Sequence, residues 1–148
     1  MIEIAKLEDI EEIIKLRLTS QKERFNENIT VEYENNIRDY LVKHLNKTVY
    51  IIVYRKDNKI VATCGIQIIE NFPIATNNGK VGYIFNVYTA KSFRGLGIQN
   101  MLLNYCINFG KENNLYKLQL KAVDNISLNI YNKLGFIKDD NTIFKVLN

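Results

Sequence analysis

The 148-residue chain has no tryptophan, one proline, one histidine and two cysteines. Each scarcity sets aside a class of protein. With His44 as the single histidine, a histidine-centred triad and a multi-histidine metal site are both disfavoured, and no metal is expected. Cys64 and Cys106 each fall within an apolar pattern. They read as small buried hydrophobes rather than a disulfide, which fits a reducing compartment. No apolar run approaches the length of a membrane span. The opening MIEIAKLEDIEE turns acidic where the apolar core of a signal peptide would continue. Basic residues never form a run of five or six, and neither a basic stripe nor a reading element for nucleic acid is evident. The expectation is a cytoplasmic protein with no membrane and no nucleic-acid partner.

What remains is ordinary globular material. The chain is 47% apolar and 24% charged, with a net charge of +4 that favours an anionic ligand mildly. Its length suits one domain, residues 1–148, with a real core. Internal repeats, low-complexity tracts and linkers are absent from the sequence.

Met1 to Ile4 predicts a short strand. From Leu7 to about Phe25 an amphipathic helix is expected, with Leu7, Ile10, Ile14 and Leu18 in one stripe and acidic residues at its positive end. Thr30 can cap a second helix, Val31 to Leu45. Val49 to Tyr54 and Ile60 to Ile69 read as a hairpin about the polar turn 56–59. A loop from Asn71 to Lys80 follows, and Gly82 to Thr89 predicts the next strand. A helix then covers 97–113, and Tyr116 to Ala122 alternates like a one-sided strand. Ser127 to Leu134 predicts a short helix ended by Gly135, and Ile143 to Leu147 a closing strand. The order is β-α-α-β-β-β-α-β-α-β. Short turns imply mostly antiparallel pairing, while the 97–113 helix allows one right-handed parallel crossover. The fold class is therefore α/β (α+β), a mixed sheet with helices on both faces.

The chain is organised around Gly82 to Phe109. A strand rich in aromatic and β-branched residues runs into Arg94-Gly95-Leu96-Gly97. The period then changes, with Ile98, Met101, Leu102, Tyr105, Cys106 and Phe109 on one helical face. Two glycines permit a sharp turn and close approach. The turn feeds a helix N-terminus, where free N–H groups and the dipole favour an anion. Neither GxGxxG nor GxxxxGK[ST] is present.

Residues 83–100, YIFNVYTAKSFRGLGIQN, resemble the acyl-CoA loop of the GNAT superfamily of N-acyltransferases, [Q/R]-x-x-G-x-[G/A]. Arg94 and Gly97 fill the first and fourth positions, while Gln99 departs from the Gly or Ala usual there. Residues 130–136, IYNKLGF, are similar to the family's LYxKxGF segment. The resemblance implies a GNAT fold whose crossover-linked strands splay apart. It also implies transfer of an acetyl group from acetyl-CoA to an amine acceptor within a ternary complex, by a monomer or homodimer. A non-catalytic acyl-CoA-binding sensor of the same fold is the alternative.

The resemblance also implies site residues. Backbone N–H groups of Gly95, Leu96, Gly97, Ile98 and Gln99 would cradle the pyrophosphate, with the charge of Arg94 beside them. Val87, Tyr88 and Thr89 would pair with the pantetheine amides. The family places an asparagine facing the cofactor about seven residues before the tyrosine; that position is Asp124 here, and Asn125 beside it is the favoured match, although Asp124-Asn125 serves equally well as turn chemistry. Tyr131 matches the general acid, since a phenol with pKa near 10 can protonate a leaving thiolate. A core role also suits one of nine tyrosines. Residues 82–89 hold no carboxylate. Asn86 stands near the place of the family's base and can orient an acceptor or a water, and Glu70 is either a base or a solvated strand-end charge. The acceptor site is expected among Arg17 to Tyr40, Asn71 to Asn78 and the region after Phe136.

Overall fold

The computed structural model describes residues 1–26, 28–122, 124–139 and 141–147. Its sheet has five strands in sequence order: β1 (Ile2–Ile4), β2 (Val49–Lys56), β3 (Lys59–Glu70), β4 (Lys80–Thr89) and β5 (Lys117–Gln119). All neighbours are antiparallel except β4 and β5, which run parallel across the crossover. The β2–β3 hairpin closes tightly because Asp57 and Asn58 both take positive φ, 49° and 61°. These are residue types that enter the left-handed region most readily after glycine.

Four helices cover the sheet: α1 (Ile10–Phe25), α2 (Val31–His44), α3 (Ile98–Glu112) and α4 (Asn125–Lys133). A 3-10 turn at Leu7–Asp9 precedes α1 and leaves Leu7 exposed, so the expected stripe begins at Ile10. Thr30 caps α2 by accepting from the Tyr33 amide at 3.1 Å. Arg38 forks onto Glu11, 2.6 Å and 2.9 Å, tying α2 to α1.

Strand alternation sorts the core into two layers. Ile51 and Val53 of β2 pack with Ile13, Ile14 and Leu41 under α1 and α2. Ile52, with Cys64, Ile66 and Ile84, packs under Leu102, Leu103 and Cys106 of α3. Each of these side chains stabilises the fold by roughly 1.5–3 kcal/mol through burial. The two thiols lie free, 3.4 Å apart.

The expected closing strand does not form. Residues 143–147 pair with no strand, and Ile143 and Phe144 are 97% and 83% exposed. Their apolar character suits a strand, but propensity without a partner edge does not order one. The strand expected at 116–122 is likewise cut to three residues, because only Lys117–Gln119 lie against β4.

Candidate active site

The short β5 shapes the site. It pairs with β4 only at Val81, Gly82 and Tyr83. Beyond Tyr83 the two strands part, and a cleft of about 730 Å³ opens between the end of β4, the start of α3 and α4. Val87, Tyr88 and Thr89 line one wall, Gly95, Gly97, Ile98 and Gln99 the floor, and Ser127 and Tyr131 the other wall.

Asn86 controls which side chains face where. It adopts φ 51°, and the β3–β4 register slips there, Gly65 opposing Phe85 but Thr63 opposing Tyr88. The extra residue is a bulge, which bends the strand and swaps its faces. Phe85 packs toward α1 and α2, yet Val87, two residues on, packs toward α3. The Thr63 hydroxyl fastens the bulge by donating to the Asn86 carbonyl at 2.9 Å. Asparagine suits the spot because its short polar side chain tolerates the left-handed region.

At the turn, Gly95 and Gly97 take φ of 78° and 74°. A Cβ at either would meet no atom within 4 Å, so conformation rather than crowding calls for glycine. Gly97 caps α3 with no side chain, leaving the first N–H groups of the helix for an outside acceptor. The Gln99 amide nitrogen donates to the Thr89 hydroxyl at 2.8 Å, while its oxygen is buried without a partner.

Arg94 is less available to an anion than expected. Its Nε donates to the Thr89 carbonyl at 2.9 Å and another guanidinium nitrogen to Glu23 at 2.5 Å. The Tyr88 hydroxyl also donates to Glu23, at 2.9 Å. Arg94's hydrogen bond holds the Glu23 carboxyl below its ordinary value, against a smaller opposing effect of burial. One residue on, Arg24 donates to the Val87 carbonyl at 2.8 Å. Glu23 and Arg24 lie inside the segment expected to hold the acceptor, yet both reach the cosubstrate cleft instead. The available signal was the continuation of the α1 stripe: Ile10, Ile13 and Ile14 are followed at the same spacing by Arg17, Ser20, Gln21 and Arg24. Ser20 and Gln21 are buried, so this polar half of the stripe faces inward too.

Tyr131 is 6% exposed. Burial pushes its phenol above the usual tyrosine range, with a smaller opposing pull from the Arg24 charge and the Ser127 hydroxyl. Asp124 caps α4, accepting from the Ser127 amide at 2.6 Å, and that bond lowers its carboxyl. The turn role thus falls to Asp124. Asn125 is exposed and lines no wall of the cleft, and Leu96 also points outward, 63% exposed. Glu70 is not brought to the site. It pairs in register with Lys80, at the far end of β4 from Val87, a separation of roughly 20 Å at strand spacing.

A second cavity, about 300 Å³, lies on the other side of the bulge, walled by α1, α2 and β4. Asn86 and Phe85 line it with Arg17, Tyr33 and Tyr40. Part of its wall comes from the expected 17–40 segment, whereas 71–78 and the described residues after Phe136 line neither cavity. Among the described residues no cluster of three metal-ligating side chains occurs, and no helix is long and apolar enough to cross a membrane.

A splayed parallel strand pair, a bulge beside it and a glycine turn opening a helix at its mouth define an acyltransferase architecture. The model of the acetyltransferase (GNAT) family matches residues 8–136, and the chain belongs to that family. A predicted acetyltransferase from Clostridium acetobutylicum, solved with acetyl-CoA, superposes with a TM-score of 0.89 at 27% identity, over 99% of this chain and 95% of that one. A GCN5-related N-acetyltransferase from Ralstonia eutropha gives 0.85 at 21% identity, over 99% and 97%. No curated protein matches the chain.

Proposed function

We propose that this chain, as one domain, transfers an acetyl group from acetyl-CoA to the nitrogen of an amine by direct attack in a ternary complex. The observation that carries the reading is the parting of β4 from β5 after Tyr83, which sets residues 87–89 across a cleft from the buried Tyr131. The residues fit the cosubstrate. The turn at Gly95–Gly97 is open where an anion would lie, and the cleft is large enough for an extended arm.

Acetyl-CoA, when bound, supplies a thioester whose C–S bond breaks as the amine forms the new C–N bond. Backbone N–H groups of Gly95 to Gln99 hold the diphosphate. Residues 87–89 offer the open edge of β4 to the pantetheine arm and an N–H to the carbonyl oxygen. Arg24 gives up the Val87 carbonyl so that this edge is free. Tyr131, a phenol of ordinary pKa near 10 that burial raises further, keeps its proton at neutral pH, and it donates that proton to the departing sulfur. Glu23 and Asp124, the carboxylates lining the cleft among the described residues, are both held as anions by hydrogen bonds and make weak bases. The attacking nitrogen therefore sheds its two surplus protons to water, one of which returns through water to the Tyr131 phenolate and restores the phenol.

Release of CoA thiol from acetyl-CoA across a panel of amines tests the reading. Turnover by the wild type that Tyr131→Phe lowers by about 10²–10⁴ supports it. One observation favours a second reading, an acyl-CoA sensor without turnover: among the described residues no Asp or Glu lines the cavity beside Asn86. Tight acetyl-CoA binding with silence across the whole panel selects the sensor.

A further inference from the structure

The cavity on the α1–α2 side of the bulge has a composition that selects its occupant. Its walls are mainly apolar and aromatic, and among the described residues they hold one charged side chain, Arg17. Arg17, like Arg24 on the cosubstrate side, forms no salt bridge among the described residues. Arg38, Arg55 and Arg94 each pair with a carboxylate, whereas Arg17 has no carboxylate partner among the described residues. Neutral groups hold it instead. Its Nε donates to the Tyr33 hydroxyl at 3.3 Å. The buried Gln21, in the amide orientation that satisfies both groups, accepts from the same guanidinium at 3.1 Å and 3.2 Å. The guanidinium is thereby fixed in direction but not neutralised.

At the bulge end, the Asn86 side-chain oxygen is buried without a hydrogen-bond partner. An unpaired buried acceptor is costly and calls for a donor. Its neighbour Val87 lines the cosubstrate cleft, so β4 passes from one cavity to the other between these two residues. One cavity thus offers a fixed cation to an anion and apolar rings to the rest of the ligand, with the Asn86 amide at its bulge end, whose covered oxygen meets an N–H once the side chain turns toward the cavity.

We propose that the acceptor is a small amine that also carries a carboxylate, with an apolar or aromatic body: the chemistry of a hydrophobic amino acid. The inference rests on the transferase reading and gives its site a substrate class. Arg17 takes the carboxylate through its planar fork. Asn86 takes an N–H of the amine and points its lone pair toward Val87. Polycationic amines are rejected, because Arg17 repels them and no wall carboxylate compensates. A doubly charged phosphate is poorly matched by one cation in an apolar setting. The volume excludes a folded protein chain and suits a molecule of amino-acid size.

The test is steady-state CoA release with paired amines. L-phenylalanine is set against 2-phenylethylamine, L-leucine against isoamylamine, and γ-aminobutyrate against propylamine, with spermidine and O-phosphoethanolamine as further arms. We expect at least one amino acid to exceed its decarboxylated partner tenfold or more in kcat/KM. Arg17→Met should erase that ratio through the amine KM with the acetyl-CoA KM unchanged, and Arg17→Lys should restore part of it. A wild-type preference for the decarboxylated partners, spermidine or phosphoethanolamine overturns the carboxylate assignment while leaving the transferase reading intact. So does a preference that Arg17→Met leaves in place in a folded variant. If no amine turns over, saturation-transfer NMR with CoA present decides. Binding of the amino acids but not their decarboxylated partners supports the site without the enzyme, and no binding overturns the inference.

Discussion

The rings of Tyr131 and Phe136 meet with centroids 5.9 Å apart, inclined by 60°. The contact closes a helix end. The Phe136 amide donates to the Tyr131 carbonyl and the Gly135 amide to that of Asn132, both at 3.1 Å, with Gly135 at φ 87°. That is the Schellman arrangement with its customary apolar clasp between the residue two past the cap and the one three before it. The Tyr-x-x-x-Gly-Phe pattern therefore has a mechanical meaning. Glycine lets α4 stop, and phenylalanine braces the tyrosine ring against the cleft wall.

Tyr131→Phe keeps the ring, the clasp and the burial, and removes only the proton donor. We expect kcat to fall by about 10²–10⁴, the usual worth of a general acid, with acetyl-CoA KM and thermal stability unchanged. Burial raises the phenol above 10.0, so its protonated form, and with it activity, persists through neutral pH and is lost only as pH rises past that raised value. That alkaline decline should be missing from the residual activity of the variant. An unchanged kcat at pH 7 would remove Tyr131 from the chemistry.

Gly97→Ala tests the turn. Its Cβ meets open space, so the cost is conformational, about 1–2 kcal/mol for an L-residue held in the left-handed region. Chemical denaturation should show that loss, and acetyl-CoA binding should weaken. Gly97→Asn should regain much of the stability. A variant as stable and as tight as the wild type would show that the left-handed turn is dispensable.

Glu23 competes with an anionic ligand for Arg94. Glu23→Gln keeps the size of the side chain and frees the charge, so acetyl-CoA should bind about two- to fivefold tighter at low salt. That is the scale of an exposed ion pair worth up to about 1 kcal/mol. Isothermal titration at two ionic strengths checks it; weaker binding would mean that Glu23 instead positions Arg94 for the ligand.

Asn86 has two separable duties, the bulge and the unpaired amide oxygen. Asn86→Gly preserves the left-handed backbone and deletes the oxygen, so acetyl-CoA affinity should hold while the amine KM rises. Asn86→Val opposes the backbone as well, by about 1–2 kcal/mol or more for a β-branched residue. It should lower both stability and acetyl-CoA affinity. Equal behaviour of the two variants would contradict this division.

Asp9 anchors the opposite edge of the sheet. It is 8% exposed, pairs with Arg55 at 2.6 Å and accepts from the Lys6 amide at 2.8 Å. Burial pushes its carboxyl up, but these partners outweigh it and the net shift is downward from 3.8. A depressed carboxyl stabilises the fold above its unfolded pKa and ceases to do so as pH falls through the folded one. Asp9→Asn should therefore cost about 3 kcal/mol near neutral pH, the scale of breaking a buried pair. The gap to the wild type should narrow below pH 3.8. A gap independent of pH in acid melts would assign the loss to packing.

The sequence by itself determined the family, the element order through α4, the one parallel crossover and the glycine turn with its tyrosine partner. Those features are local: periodicity, caps and left-handed residues act within a few positions of themselves. Only the tertiary structure decided what lies across gaps in the chain. It halted β5 at Gln119, which opened the cleft, and it left residues 143–147 outside the sheet. It set Glu23 of α1 on Arg94, 71 residues away, removed Glu70 from the site and placed Arg17 behind Asn86. Such pairings depend on where a sheet twists and how far two strands stay in register, and no window of neighbouring residues encodes that.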